Sequence, residues 1–212
     1  MFDTGIVPVF YHYNIEIAKQ AVKACYVGGI RVFEFTNRGD YAHEMFDELN
    51  KWVAIECLEM IMAIGSIVDA STASLYLQLG ANFVVSPLIN PEIFKICNRR
   101  QIPYLPSCES VSKIGLAQEM RAKIVKMFPG KSIGGPSFVK SLMRPRPWSR
   151  IMITGGVEPT EENLSAWFKA GVSCVGIGSN FFPKEFFENN ELSKVIELCK
   201  SSLKIVQAYV VS

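Results

Sequence analysis

Short apolar, β-branched runs alternate along the chain with longer amphipathic stretches, and Gly, Pro, Asn or Asp stands at most of the junctions. A short continuous apolar run reads as a buried strand, and apolar positions recurring with helical spacing read as a helix with one buried face. The pattern predicts strands at Ile6–Phe10, Ile30–Phe35, Met60–Ile64, Phe83–Val85, Ile102–Leu105, Ile124–Phe128, Ile151–Thr154 and Cys174–Ile177. Between them it predicts helices at Ile15–Tyr26, Tyr41–Ile55, Asp69–Leu79, Pro91–Asn98, Ser110–Arg121, Pro136–Met143 and Asn163–Ala170, with a last helix at Glu191–Val210.

Junction residues support the same order. Asn90 before Pro91 is an N-cap with proline in the first turn, and Thr160 precedes the acidic pair Glu161-Glu162. Gly28-Gly29, Gly80 and Gly171 stand just ahead of strands, as glycine does at helix C-termini. A repeat of helix, glycine and strand fits parallel strands with right-handed crossovers. The expected fold is a single (β/α)₈ TIM barrel domain over residues 1–212, with lean loops. A doubly wound open sheet is the competing α/β architecture, but Val7-Pro8-Val9-Phe10 stands where its glycine-rich phosphate loop would begin.

Composition narrows the function classes. The chain is 49% hydrophobic and 20% charged, and a formal charge of +2 gives no broad attraction to nucleic acid or an anionic membrane surface. Any anion binding must be local. Six cysteines lack C-x-x-C spacing and lie mostly in apolar segments, so reduced core thiols are expected. The opening residues, Met1-Phe2-Asp3-Thr4-Gly5, carry no leader pattern, and no apolar run approaches a bilayer span. A cytoplasmic protein is the expectation.

In a barrel, chemistry belongs at the C-terminal ends of the strands. Lys126 lies in the apolar run Ile124-Val125-Lys126-Met127-Phe128, where the sixth strand should end. An amine held against Val125, Met127 and Phe128 loses solvation of its charged form, and neutral amine is the form that attacks ketones to give Schiff bases. The plainer reading is a strand-end lysine whose stem covers apolar surface while its head reaches water. Glu34 sits between Phe33 and Phe35, so strand alternation sends it to the opposite face, inside the barrel. There it either shuttles protons or simply neutralises Lys126 or Arg38. Arg38, four residues on, has the geometry of a carboxylate clamp.

Two glycine turns, Thr154-Gly155-Gly156-Val157 and Gly176-Ile177-Gly178-Ser179-Asn180, follow the seventh and eighth strands, where barrels often hold phosphate. Gly134-Gly135 is a further source of backbone donors. Only His12 and His43 are present, in neither a metal nor a triad spacing, so no metal and no cofactor is expected. Cys108 alone falls in a predicted active-face loop, with no histidine to activate it, and reads as an incidental loop thiol.

Taken together, Glu34 with Arg38, Lys126-Met127-Phe128-Pro129, Gly134-Gly135, Thr154-Gly155-Gly156 and Gly178-Ser179, in this order, resemble the 2-keto-3-deoxy-6-phosphogluconate (KDPG) and 4-hydroxy-2-oxoglutarate (KHG) aldolase family over nearly the whole chain. The resemblance implies a class I aldolase on a (β/α)₈ barrel, assembled as a homotrimer and acting on a small 2-keto acid. It implies Lys126 as Schiff-base lysine and Glu34 as general acid/base through water. Arg38 and Ser66 would hold the substrate carboxylate, Phe128 would pack on the carbon chain, and Gly155, Gly156, Gly178 and Ser179 would bind a distal phosphate. The implied reaction splits the phosphorylated sugar acid into pyruvate and glyceraldehyde 3-phosphate. Alternatives are KHG cleavage to pyruvate and glyoxylate, or an inactive barrel that binds a phosphorylated metabolite.

The chain departs from the family pattern around the expected rim. Ala63-Ile64-Gly65-Ser66 replaces Gly-Ala-Gly-Thr, Ser86-Pro87-Leu88 replaces Ser-Pro-Gly, and Pro106-Ser107 replaces Pro-Gly. Bulky Ile64 is expected to alter substrate fit near the carboxylate.

Overall fold

The computed structural model describes residues 4–210. The first three residues, on which the leader expectation partly rests, lie outside that range. Eight parallel strands alternate with helices: β1 Ile6–Phe10, α1 Ile15–Val27, β2 Val32–Thr36, α2 Ala42–Glu56, β3 Ile61–Gly65, α3 Ala70–Gln78, β4 Phe83–Val85, α4 Pro91–Arg100, β5 Tyr104–Leu105, α5 Val111–Glu119, β6 Val125–Met127, α6 Gly135–Met143, β7 Ile151–Thr154, α7 Glu161–Ala170, β8 Cys174–Ile177, α8 Lys184–Glu188 and α9 Leu192–Val210. Strand order is β5-β4-β3-β2-β1-β8-β7-β6, every pair parallel. The ring closes between β5 and β6 at one bridge, Ser107 to Lys126. There Lys126 N–H donates to the Pro106 carbonyl at 2.9 Å, and Cys108 N–H donates to the Lys126 carbonyl at 2.8 Å.

Alternation along the strands sorts buried apolar residues into two separate cores. Val7, Val32, Ala63, Val85, Leu105 and Met152 belong to a cluster that fills the barrel. Phe33, Phe35, Met62, Ile64, Val125 and Met127 belong to the larger cluster between strands and helices. With one core on each side, the strands read as near-continuous apolar runs rather than as alternating ones. The sequence located all eight strands, with ends shifted by one or two residues, β2 starting at Val32 rather than Ile30 and β5 at Tyr104 rather than Ile102. The five-residue helix α8 was not predicted; Pro183 and the aromatic pair Phe186-Phe187 give no helical period to read.

Helix starts follow the chemistry of their caps. Asn14, Asp69, Asn90, Ser110 and Thr160 each accept a backbone N–H of the first turn through a side-chain oxygen. Five of the helix ends share one geometry. After α1, α3 and α7 the chain turns through left-handed Gly29, Gly80 and Gly171, and the following residue donates back across the last turn. After α4 and α5 the same turn is made by Gln101 (φ 56°) and Arg121 (φ 76°). A non-glycine residue in that region costs about 1 kcal/mol or more.

Candidate active site

The C-terminal ends of the strands surround a pocket of about 270 Å³, lined by Lys126, Phe128, Arg38, Ser66 and both glycine turns. Lys126 rises from β6 into the barrel, and its Nζ lies 3.6 Å from Glu34 Oε1 of β2, the two side chains 11% and 1% exposed. Parity of β2 brings Glu34 inside, as the alternation argument requires. The apolar neighbours in sequence do not set the surroundings of the amine, however. Val125 and Met127 face the helices, and only Phe128, whose ring centroid is 5.7 Å from Nζ, stays beside it. Beside the amine the structure places the Glu34 carboxylate and the Phe128 ring.

Glu34 lies beneath the pocket rather than on its wall. Its Oε1 is taken by the ion pair, and its Oε2 is buried with no hydrogen-bond partner. Space for the carboxylate comes from β3. Gly65 pairs with Thr36, and a Cβ at Gly65 would collide with Glu34 Oε1 and Cδ. The next residue, Ser66, holds φ at 63°, and its Oγ accepts from Arg38 Nε at 3.5 Å. Arg38 and Ser66 thus meet on one wall of the pocket.

The opposite wall is backbone. Gly155 and Gly156 are consecutive left-handed residues, φ 84° and 83°, following β7. Their carbonyls are engaged, Gly155 by Lys131 N–H at 3.0 Å and Gly156 by Asn163 Nδ2 at 3.3 Å. Neither N–H has a protein acceptor among the described residues. Gly178 differs in kind: its φ is ordinary, and a Cβ would meet nothing nearer than the Val9 carbonyl at 3.6 Å. No demand of the fold keeps glycine there, and a side chain would project into the pocket that Gly178 lines with Ser179.

Several expectations need correction. Ile64, expected to crowd the carboxylate region, points into the helix layer because it has the parity of Phe33 and Phe35. Gly134-Gly135 does not line the pocket, and Gly135 N–H is used by the Gly130 carbonyl. Cys108 lies in the loop between β5 and α5 as expected, but its thiol is fully buried, and burial pushes it up to about 12. The structure also adds two hydroxyls. Ser107 bridges Lys126, Thr154 lines the pocket, and both oxygens are buried without a partner. Their positions next to Pro106 and Gly155 were visible in the sequence, but only strand parity shows that they turn inward.

The family model described as KDPG and KHG aldolase matches residues 1–198. The chain belongs to this family. Relatives include the 2-dehydro-3-deoxy-phosphogluconate aldolase of Treponema pallidum, 29% identical over 201 residues, covering 95% of this chain and 93% of that one. The KHG/KDPG aldolase of Escherichia coli K12 is 27% identical over 205 residues, covering 96% and 93%. Among solved structures, the KDPG aldolase of Legionella pneumophila, with pyruvate captured as a covalent carbinolamine, superposes with a TM-score of 0.84 at 26% identity, covering 95% of each chain. Among the described residues no helix is long and apolar enough to cross a membrane. This KDPG/KHG aldolase family member therefore joins a barrel fold, a buried lysine–carboxylate pair and a pocket at the catalytic end of the strands.

Proposed function

We propose that the chain cleaves 2-dehydro-3-deoxy-6-phosphogluconate to pyruvate and glyceraldehyde 3-phosphate through a Schiff base on Lys126. The observation that carries this reading is the 3.6 Å approach of Lys126 Nζ to Glu34 on the floor of a pocket with a guanidinium on one side and glycine N–H groups on the other. The neutral amine attacks the C2 ketone, the carbinolamine loses water, and the iminium becomes an electron sink. Glu34, reaching the substrate through water, takes the C4 hydroxyl proton as the C3–C4 bond breaks and its electron pair passes into the enamine. The aldehyde leaves, C3 of the enamine is protonated, and water releases pyruvate from Lys126.

In this reading Arg38 and Ser66 hold the carboxylate, Phe128 covers the carbon chain, and Gly155, Gly156, Gly178 and Ser179 bind the phosphate. The unpaired Gly155 and Gly156 N–H groups and the open space at Gly178 support that assignment. The whole chain then acts as one cytoplasmic barrel domain, assembled as a homotrimer. KHG cleavage is the second reading, favoured by the dual name of the Escherichia coli relative. It uses the same lysine and leaves the glycine wall unused.

Borohydride reduction in the presence of pyruvate tests the mechanism. A mass increase on the peptide carrying Lys126, and loss of cleavage in Lys126→Ala, are expected. An unmodified Lys126, or an active variant, would refute the Schiff base, and absence of both imine and turnover would leave a barrel that only binds phosphorylated metabolites. Comparing kcat/KM for phosphorylated and unphosphorylated substrates separates the two aldolase readings.

A further inference from the structure

The barrel is incompletely closed at one place. β5 and β6 meet only at the Ser107–Lys126 bridge, and below it, toward the N-terminal ends of the strands, no pairing joins them among the described residues. The gap forms a cavity of about 540 Å³, larger than the active-site pocket and on the opposite end of the barrel. That volume lies within the range of about 300–1,000 Å³ found for small-molecule sites.

The walls have two chemistries. Phe94, Ile102, Pro103, Leu105 and Ile124 supply apolar surface, whereas Arg121, Lys123 and Arg150 supply positive charge, and no acidic residue lines the cavity among the described residues. Arg121 and Lys123 have no carboxylate partner among the described residues. A second cavity of about 340 Å³ shares Pro103, Leu105 and Ile124 and adds Val32, Ile61 and Phe83, extending the apolar surface into the floor of the barrel.

An independent observation concerns the backbone. Gln101 and Arg121 hold the left-handed helix-ending conformation that Gly29, Gly80 and Gly171 hold elsewhere, and both open onto this one cavity. Glycine would make either turn with less strain. Strain kept at two positions facing the same space points to a use for their side chains.

We propose that this cavity binds an organic anion with an apolar body. Its carboxylate or phosphate head is held by Arg121 and Lys123, with the Gln101 amide beside them, and its chain lies along Phe94 and Ile124 toward the barrel floor. The charge at the rim selects the head and the apolar wall selects the body, so inorganic phosphate and a neutral alcohol each satisfy half of the site. It stands apart from the Lys126 pocket and does not depend on the reaction there.

Displacement of the fluorescent anion anilinonaphthalene sulfonate from the full chain tests this, with decanoate, decyl phosphate, decanol and inorganic phosphate as competitors. Decanoate or decyl phosphate is expected to displace the probe, and whichever binds tighter identifies the head group. Decanol and inorganic phosphate should be weaker by about tenfold or more. Arg121→Gly should weaken binding by a similar factor while raising Tm, because it removes a cation and a strained turn together. Lys123→Ala should weaken binding with little change in Tm, and it carries the test if Arg121→Gly folds poorly. Lys126→Ala should bind as the wild type does. Equal competition by decanol, unchanged affinity in Lys123→Ala, or loss of binding in Lys126→Ala would overturn the proposal.

Discussion

Gly65 makes room for Glu34: the missing Cβ on β3 is the space that the β2 carboxylate occupies beside Lys126. Gly65→Ala would push that carboxylate away from the amine. The expected result is a fall in kcat of about 10²-fold or more, in the range seen when general acid/base catalysis is lost, with imine trapping at Lys126 retained. Glu34→Gln should reproduce the same split. If both variants keep full kcat, Glu34 is only a counter-ion.

Arg38 and Ser66 make a second paired prediction. Arg38→Ala removes the only guanidinium lining the pocket among the described residues, and a charge-assisted hydrogen bond is worth about 1.5–3 kcal/mol. The concentration of pyruvate giving half-maximal borohydride trapping should therefore rise by roughly 10–100-fold. Ser66→Ala, which keeps the charge, should produce a smaller rise.

Two glycines of β8 and its following turn should behave oppositely. At Gly176 a Cβ would collide with Thr154 Cγ2 and lie 2.9 Å from Met152 Cε, so Gly176→Ala overpacks the barrel. A loss of about 1–3 kcal/mol is expected by denaturant titration. At Gly178 a Cβ meets open space, so Gly178→Val should leave the fold intact. It should raise KM for the phosphorylated substrate and spare the unphosphorylated one.

Alkaline stability follows from buried acids. Burial pushes Cys174 and Cys108 up to about 12, Cys97 to about 11, and Tyr76 and Tyr104 to about 12. Cys174 is the most enclosed of these, and desolvation is the first cause of its shift from the ordinary 9.0. Each group binds its proton more tightly folded than unfolded, so its contribution is whole below the unfolded value and is lost as pH rises toward the folded one. Tm should be flat up to about pH 9 and fall between about pH 9 and 12. Cys174→Ala should flatten part of that fall, and a Tm independent of pH across the window would contradict the burial argument.

How much of this was legible in the sequence depends on the range over which each feature is decided. The eight strands, the helix caps at Asn90 and Thr160 and the inward turn of Glu34 follow from local periodicity and backbone chemistry, because alternation on a strand is fixed by its neighbours alone. The surroundings of Lys126 do not. Val125 and Met127 adjoin it in sequence yet face away, whereas Glu34, Ser107 and Thr154 arrive from other strands or their ends.

The order of strands and helices, the family pattern and the residue types able to form an imine and steady an anion are thus written in the chain itself. Which of those residues meet is a property of the folded barrel. Ser107 pairs with Lys126 and Thr154 stands at the pocket because register, which depends on pairing between distant segments, sets which inward-facing residues come level with one another. The unpaired stretch between β5 and β6, with Gln101 and Arg121 at its rim, exists only once the barrel closes, since a gap between strands belongs to no single segment of the chain.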